Sequence, residues 1–410
     1  MAWIIWLTAG LFYTYEFVHR IAPGIMVPEL MAEFNVSGKS LGNLSAYYYY
    51  AYAIAQIPIG ILLDRYSTRY LLVFAATLIA VGSFVFSNTG NIEVANSCRV
   101  IIGLGSAFSF VGCLKLATNW FSHHKFGLVV GLTNFLGATG AILGGRPLAH
   151  YIEQHGWRNS MELSGIIGVI FIVAIWVIVR DKKLMHSKES SKTSQVNSDN
   201  LKQKLTAIIK NQQIWLIAIF GSLMVVPIAS YTELWGVSFL TETYGFSKPI
   251  AGQIVTFTFI GIAFGGPING WISDLIGKRT PIMLVGAIGS TVTIASIIYL
   301  NDISFIHLTI LHIIFGFFTS SMLLCFSLNA EISNMSARGT VIGFTNTLIM
   351  GISAIFQPLI GSILDRFAIN NFNFVSNIYS LNAFQIAFLP LILCLISAVL
   401  ILIRIKEVRY

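Results

Sequence analysis

Four ionisable side chains interrupt apolar runs of this 410-residue chain where hydrocarbon is expected: Glu16, His19, Arg20 and Lys115. A fifth, Glu233, lies further on in SYTELWG. A charge inside a bilayer costs about 3 kcal/mol or more unless it is paired or faces water, so each is a functional candidate. Glu16 and Arg20 are four residues apart, share a helix face and can pair. His19 borders that face. A guanidinium suits two-point capture of a carboxylate or phosphate, which favours Arg20 as an anion anchor over a salt bridge that only neutralises itself. Lys115 has two readings: a cavity cation, or a side chain that snorkels to water. Glu16, His19 and Glu233 are candidates for proton coupling, because a carboxyl or imidazole can load and release a proton as access changes. A structural role is an equal reading of His19, and binding of a substrate amine competes for Glu233.

Polar neighbours extend this set. Tyr48, Tyr52 and Gln56 recur every fourth residue in the tyrosine-rich run and share one helix face, offering hydroxyls and an amide to a polar substrate. Asn346 and Gln357 are polar contacts of the second half, with ordinary helix–helix hydrogen bonding as the competing reading. The glycines Gly131, Gly137, Gly140, Gly144 and Gly145 allow close helix approach. With no strand before them and no GK[ST] after, they do not form a phosphate-cradling loop. The cysteines Cys98, Cys113, Cys325 and Cys394 lie inside apolar runs and have no metal or redox spacing. No cofactor, metal or nucleophile–base pair is indicated, and an enzyme or a receptor-like sensor is the weakest class.

The elements that position these residues follow from composition. Apolar residues make up 55% of the chain and charged ones 10%, too few to clothe a water-facing surface. Stretches of about 20 apolar residues recur, each able to cross a hydrocarbon core about 30 Å thick. Their unbroken length favours helices over a barrel, whose strands would alternate. The spans fall at 2–27, 42–63, 70–88, 96–119, 126–149, 160–180, 212–240, 250–270, 280–299, 303–328, 339–363 and 383–404. The first has no basic leader or cleavage site and reads as a retained helix. With the N-terminus cytoplasmic, the inner loops hold seventeen basic residues and the outer side six, Arg99 among them. That bias places both termini inside. It also accounts for the net charge of +8 through topology and anionic lipids, without nucleic acid.

The one long polar run, 181–211, reads as a flexible linker with a short amphipathic helix at its end. It separates a bundle over 1–180 from another over 212–410. The two are related. Gly60, Asp64 and Arg69 in GILLDRYSTR match Gly270, Asp274 and Arg279 in GWISDLIGKR. GLVVGLTN at 127–134 matches GTVIGFTN at 339–346. The offsets, 210 and 212 residues, indicate duplication, an arrangement that places a site between two halves.

Gly60, Asp64, Arg65 and Arg69, with their copy at Gly270, Asp274 and Arg279, resemble the signature loop of the major facilitator superfamily. The likeness covers the whole chain. It implies an all-α membrane protein of twelve transmembrane helices in two pseudo-symmetric six-helix bundles, monomeric, working by alternating access. An acid such as Asp64 can cap a neighbouring helix at its positive N-terminus while the arginines pair across the gap, so these residues are gating candidates. Glu331 with Arg338 is a candidate second gate. EFVHRIAPGIMVP, with Arg20 eight residues before Pro28, and CLKLATNWF, with Lys115 five before Trp120, resemble the anion:cation symporter and organophosphate:phosphate antiporter families. The departures are lysine at 115, where those families often carry arginine, and histidine at 19, where such symporters often carry aspartate. The resemblance implies a small organic anion moved with protons. A zwitterion carrier, an exporter or an exchanger is the alternative.

Overall fold

In lipid the backbone has no water to bond, so each crossing segment must satisfy its own amides. The computed structural model describes residues 1–181, 206–333, 338–368 and 379–406, and among them helix is the one regular element. The helices are α1 (Ala2–Ile25), α2 (Val27–Phe34), α3 (Gly38–Arg65), α4 (Thr68–Asn88), α5 (Ile92–Trp120), α6 (His123–Gly144) and α7 (Arg146–Ile178). After the linker come α8 (Gln212–Tyr244), α9 (Lys248–Ile276), α10 (Thr280–Tyr299), α11 (Phe305–Glu331), α12 (Arg338–Arg366) and α13 (Leu381–Leu402). Side-chain caps from Asn91, Asn211 and Ser380 satisfy first-turn amides of α5, α8 and α13. Prolines in the first turn begin α7, α9 and α10.

Nine stretches among the described residues are long and apolar enough to cross a bilayer. One of them, Leu128–Ile178, spans 51 residues and holds two crossings. Gly156, at a φ of +82° that favours glycine, turns the chain between them. Before it, α6 runs parallel to α1, with Trp6 on Thr133 and Thr14 on Leu136. After it, α7 runs back along α4, from Gly165 beside Phe84 to Trp176 beside Tyr70. The helices α1 and α3 fall outside the nine because they carry the polar residues singled out above. Most of α1 is buried in protein and has no need of a lipid-facing apolar surface. Counting the long stretch twice and adding α1 and α3 gives twelve crossings.

Contacts define two ends. At the basal end Trp3 packs on Phe121 (4.7 Å), Trp120 donates to the Arg180 carbonyl (3.0 Å) and Gln213 meets Arg404 and Lys406. At the far end, α3 begins and α12 finishes. These two helices form an antiparallel seam between the halves. Gly38 lies on Gly361, Gly42 on Pro358, and Thr347 donates to the Ala53 carbonyl (3.3 Å).

Positions about 212 residues apart make related contacts. Thr133 and Thr345 both bond back to the carbonyl four residues earlier, and each accepts a bond from a neighbouring helix, from Trp6 (3.1 Å) and Asn329 (2.8 Å) respectively. Cys113 and Cys325 are both buried. The backbone of His19 receives Arg99, while Tyr231 bonds His312 (3.0 Å), so the first helix of each half is tied to the fourth at the same depth. Of the glycines in α6, Gly137 and Gly140 fit closely against Tyr13 and Thr14, whereas Gly131 has nothing within 4 Å.

The fold corrects two expectations. Arg99 is not an outer-surface residue. The helix starts at Ile92, which carries Arg99 two turns inside, fully buried. Glu331 pairs with Arg279 (3.1 Å), and Arg338 stands exposed at the start of α12. The linker is pinned at its first residue. Asp181 takes the Thr68 amide (3.0 Å) and the Ser67 hydroxyl at the start of α4. Residues 182–205 and the side chain of Asp64 lie outside the described residues.

Candidate substrate site

Glu16 is fully buried, and three helices supply its partners. Arg20, one turn on in α1, donates to Oε1 at 3.2 Å. The Tyr48 hydroxyl of α3 donates to the same oxygen, and Ser109 of α5 donates to Oε2 at 3.4 Å. The pairing of Glu16 with Arg20 is the one their spacing predicts. The guanidinium of Arg20 lies in an aromatic box, 4.6 Å from the Phe17 ring, 5.2 Å from Tyr52 and 5.9 Å from Tyr48. Ring faces hold a cation without neutralising it. Tyr48 and Tyr52 stack at 6.2 Å, as expected of residues on one helix face, and Gln56 follows them, buried, with its amide nitrogen unbonded in the described structure.

Arg99 completes the first-half cluster. It donates to the His19 carbonyl (2.9 Å) and lies 4.8 Å from the Tyr48 ring, on which Arg20 also borders. Its Nε and Nη2 meet no acceptor among the described residues. His19 bridges two helices, and its Nδ1 is buried with no partner among the described residues. Its Nε2 bonds Ser164 of α7 (2.8 Å) and its ring stands edge-on to Tyr15.

The second half contributes Glu233. Residues Ile228–Trp235 of α8 form a π-helical stretch, all eight buried. Such local widening shifts side chains from their α-helical register and is frequent at functional sites. Gly24, one turn beyond Arg20 on α1, meets this stretch so closely that a Cβ there would lie 2.4 Å from the Glu233 carbonyl oxygen. Glu233 stands within electrostatic reach of Arg20 and Glu16, and its Oε2 is buried without a donor. Among the described residues the buried carboxylates and guanidiniums are therefore Glu16, Arg20, Arg99 and Glu233, two of each sign.

Other candidates fall elsewhere. Lys115 is half-buried, six residues basal of Ser109, about 9 Å along α5. Asn346 is half-buried on α12. The Gln357 side chain donates to the Ala229 carbonyl (2.9 Å), its backbone carbonyl accepts from Trp235 (3.3 Å), and its Oε1 is buried with no donor among the described residues. At the basal end Arg279 joins Asp274, Glu331 and Ser273 (3.0 Å). Partial burial opposes its charge, but the bonds to Asp274 and Glu331 outweigh that and hold its pKa above the ordinary value. Arg69 lies over Trp176 (4.2 Å), Arg65 is exposed, and Gly60 and Gly270 each have nothing within 4 Å of where a Cβ would stand.

Sequence reasoning missed Arg99, Ser109 and Asp365. Asn91 followed by Ile-Glu was a readable cap that would have started α5 earlier and internalised Arg99. Asp365 is the aspartate of GSILDR at 361–366, a near copy of GILLDR at 60–65. It accepts from the Gly38 and Lys39 amides (2.8 and 2.9 Å) and from the Tyr379 hydroxyl (3.0 Å).

The family model of the Major Facilitator Superfamily matches residues 5–358 and 234–408. This chain belongs to that superfamily. Like other members it is a multi-pass membrane protein and not an enzyme. Among similar proteins is one named "Probable hexose phosphate transport protein" from Chlamydia trachomatis, 24% identical over 81% of this chain and 78% of its own length. The "Membrane sensor protein UhpC" of Escherichia coli is 24% identical over 91% and 88%. The "Probable sulfoacetate transporter SauU" of Cupriavidus necator is 21% identical over 87% and 86%. The fold matches a solved bacterial homologue of the lysosomal transporter Spinster, inward-facing and occupied, with a TM-score of 0.79. That match has 13% identity and covers 98% of this chain and 96% of the other.

Proposed function

We propose that this superfamily member is a secondary carrier that moves a small organic anion across the membrane by alternating access, with Arg20 as the anchor. The observation that carries this reading is Arg20 itself: a buried guanidinium in an aromatic box, beside a second buried arginine that has no carboxylate partner among the described residues. Arg99, with N–H groups that no carboxylate occupies, gives an incoming anion donors beside those that Arg20 shares with Glu16. Relatives named for hexose phosphate and sulfoacetate transport support the same class. Tyr48, Tyr52 and Gln56 complete the anion site from α3. Glu16 and Glu233 are the proton-coupling groups of this reading, which makes transport a symport. His19 fits better as a strut.

Both termini face the cytoplasm in this reading, and the halves 1–180 and 212–410 rock about the seam of α3 with α12. Asp64 and Asp274 with their arginines gate the basal side, and Asp365 gates the far side.

In proteoliposomes, an inward pH gradient should drive uptake of a hexose phosphate or short carboxylate. Arg20→Ala should lower it about 100-fold or more, while the purified variant keeps its melting profile. Normal uptake by Arg20→Ala would remove the anchor. Uptake indifferent to a collapsed pH gradient and membrane potential would point to exchange or uniport. A second reading, a sensor that binds the anion without moving it, is favoured by the relative named as a membrane sensor. Binding that depends on Arg20 with no uptake would select it.

A further inference from the structure

We infer that the substrate is an ammonium-bearing organic anion, and that Glu233 receives its ammonium group. The inference rests on the anion-carrier reading above and adds the other half of the ligand.

The charge balance of the site is the starting point. Glu16, Arg20, Arg99 and Glu233 sum to zero before anything binds. A bare anion taken by Arg20 leaves the interior with net negative charge, next to two carboxylates. A positive charge must accompany it; here the ligand's own cation supplies it at Glu233, in place of the proton assigned there above, and proton coupling falls to Glu16. Glu16 is not free to receive that group, since both of its oxygens already accept bonds from Arg20, Tyr48 and Ser109. Glu233 is free. It is 5% exposed, and its Oε2 has no donor. The hydroxyls of Ser230 and Thr232, on the same π-helical stretch, are also buried without partners. A buried acceptor left unbonded is costly, and a hydroxyl can accept as well as donate. One ammonium carries three N–H groups, enough for the carboxylate oxygen and one or two such hydroxyls.

Backbone packing brings together the two helices that carry these charges, and Glu233 lies within electrostatic reach of Arg20. Gly24 stands one helical turn, about 6 Å, from Arg20 on α1, and it packs against the Glu233 backbone. The groups around Arg20 are Glu16 and Phe17 from α1 and Tyr48 and Tyr52 from α3, with Glu233 of α8 within electrostatic reach. The only carboxylates among these and their contacts are Glu16, already occupied, and Glu233. A small molecule with its acid and its amine a few bonds apart can meet Arg20 and Glu233 together.

The test uses matched probes that differ only in the amine: glucosamine 6-phosphate against glucose 6-phosphate, and alanine against lactate. Binding to the purified full chain is read by thermal shift and by competition for uptake in proteoliposomes. The amine member of the preferred pair should bind about 10-fold tighter or more, the scale of one hydrogen-bonded charge. Glu233→Gln should erase that preference and leave binding of the bare anion. The wild-type comparison needs no variant, so a Glu233→Gln protein that fails to fold does not shield the inference. Equal or better binding of the bare anion overturns the inference and leaves the anion-carrier reading intact. The same holds if bare-anion binding strengthens at low pH in the wild type but not in Glu233→Gln, for then a proton fills this role. Failure of every probe to bind, or binding that ignores Arg20→Ala, overturns both.

Discussion

The two ends of this carrier are equally rich in polar contacts but spend them on different partners. At the far end the contacts join the halves. Asp365 of α12 caps α3, Lys248 of α9 pairs with Glu29 of α2, and Arg146 of α7 meets Gln253 of α9 (2.8 Å). Backbones touch there too, at Gly38 with Gly361 and at Gly145 with Gly252. At the basal end the described contacts stay within each half: Asp181 with α4, Arg69 with Trp176, and Arg279 with Asp274 and Glu331. The duplicated signature glycines, Gly60 and Gly270, face open space. A glycine inside a helix costs about 1 kcal/mol relative to alanine. At the far end close approach explains that cost. At the basal end this conformation does not, so the reason must lie in a conformation where the basal ends close.

The sharpest way to break the contrast is to spoil the far-end seam. A Cβ on Gly361 would lie 2.2 Å from the Gly38 carbonyl oxygen and 2.5 Å from its carbon, and neither backbone atom can move alone. Gly361→Val should force the far ends apart at a cost of roughly 3 kcal/mol in this conformation. The melting temperature should fall, and a cysteine placed at Ser45, which is buried on α3, should be modified faster by a water-soluble reagent. If melting and labelling match the parent, the seam does not hold the far end shut.

Removing the cap is gentler. Asp365→Ala deletes acceptors for two first-turn amides of α3 and should cost about 1–2 kcal/mol, with the same labelling change in smaller measure. Asp365→Asn keeps an acceptor but loses the charge, and should fall between Asp365→Ala and the parent. An Asp365→Ala protein as protected at Ser45 as the parent would show that glycine packing alone closes this end.

The sequence made the far end harder to read than the basal end, for physical reasons. The pairing of Glu16 with Arg20 is local, fixed by one helical turn, and could be read directly. So could the helices, because lipid demands long apolar runs. Asp365 and Gly38 are 327 residues apart, and only the antiparallel seam brings them together. Glu331 was assigned to Arg338, its neighbour in sequence, but packing gives it to Arg279, 52 residues away. Arg99 was displaced by a helix boundary set a few residues late, enough to move a charge from the interior to the surface. The π-helical stretch around Glu233 has no sequence signature of its own. Ser109, which completes the Glu16 shell, looks like any small residue of a packed helix.

The smallest effect is the most discriminating, because its two readouts move in opposite directions. Gly60→Ala adds a methyl group where nothing lies within 4 Å. In this conformation the substitution should be harmless and should stabilise α3 by up to about 1 kcal/mol through helix propensity alone. If the basal ends pack on Gly60 when they close, the same methyl disfavours that state, and transport should slow several-fold in a protein that melts slightly higher. Gly270→Ala should repeat the pattern in the second half. A variant that is stabilised and transports at the parent rate would mean that Gly60 is not a packing surface in any step of the cycle. The contrast between the ends would then be a property of one conformation and not of the mechanism.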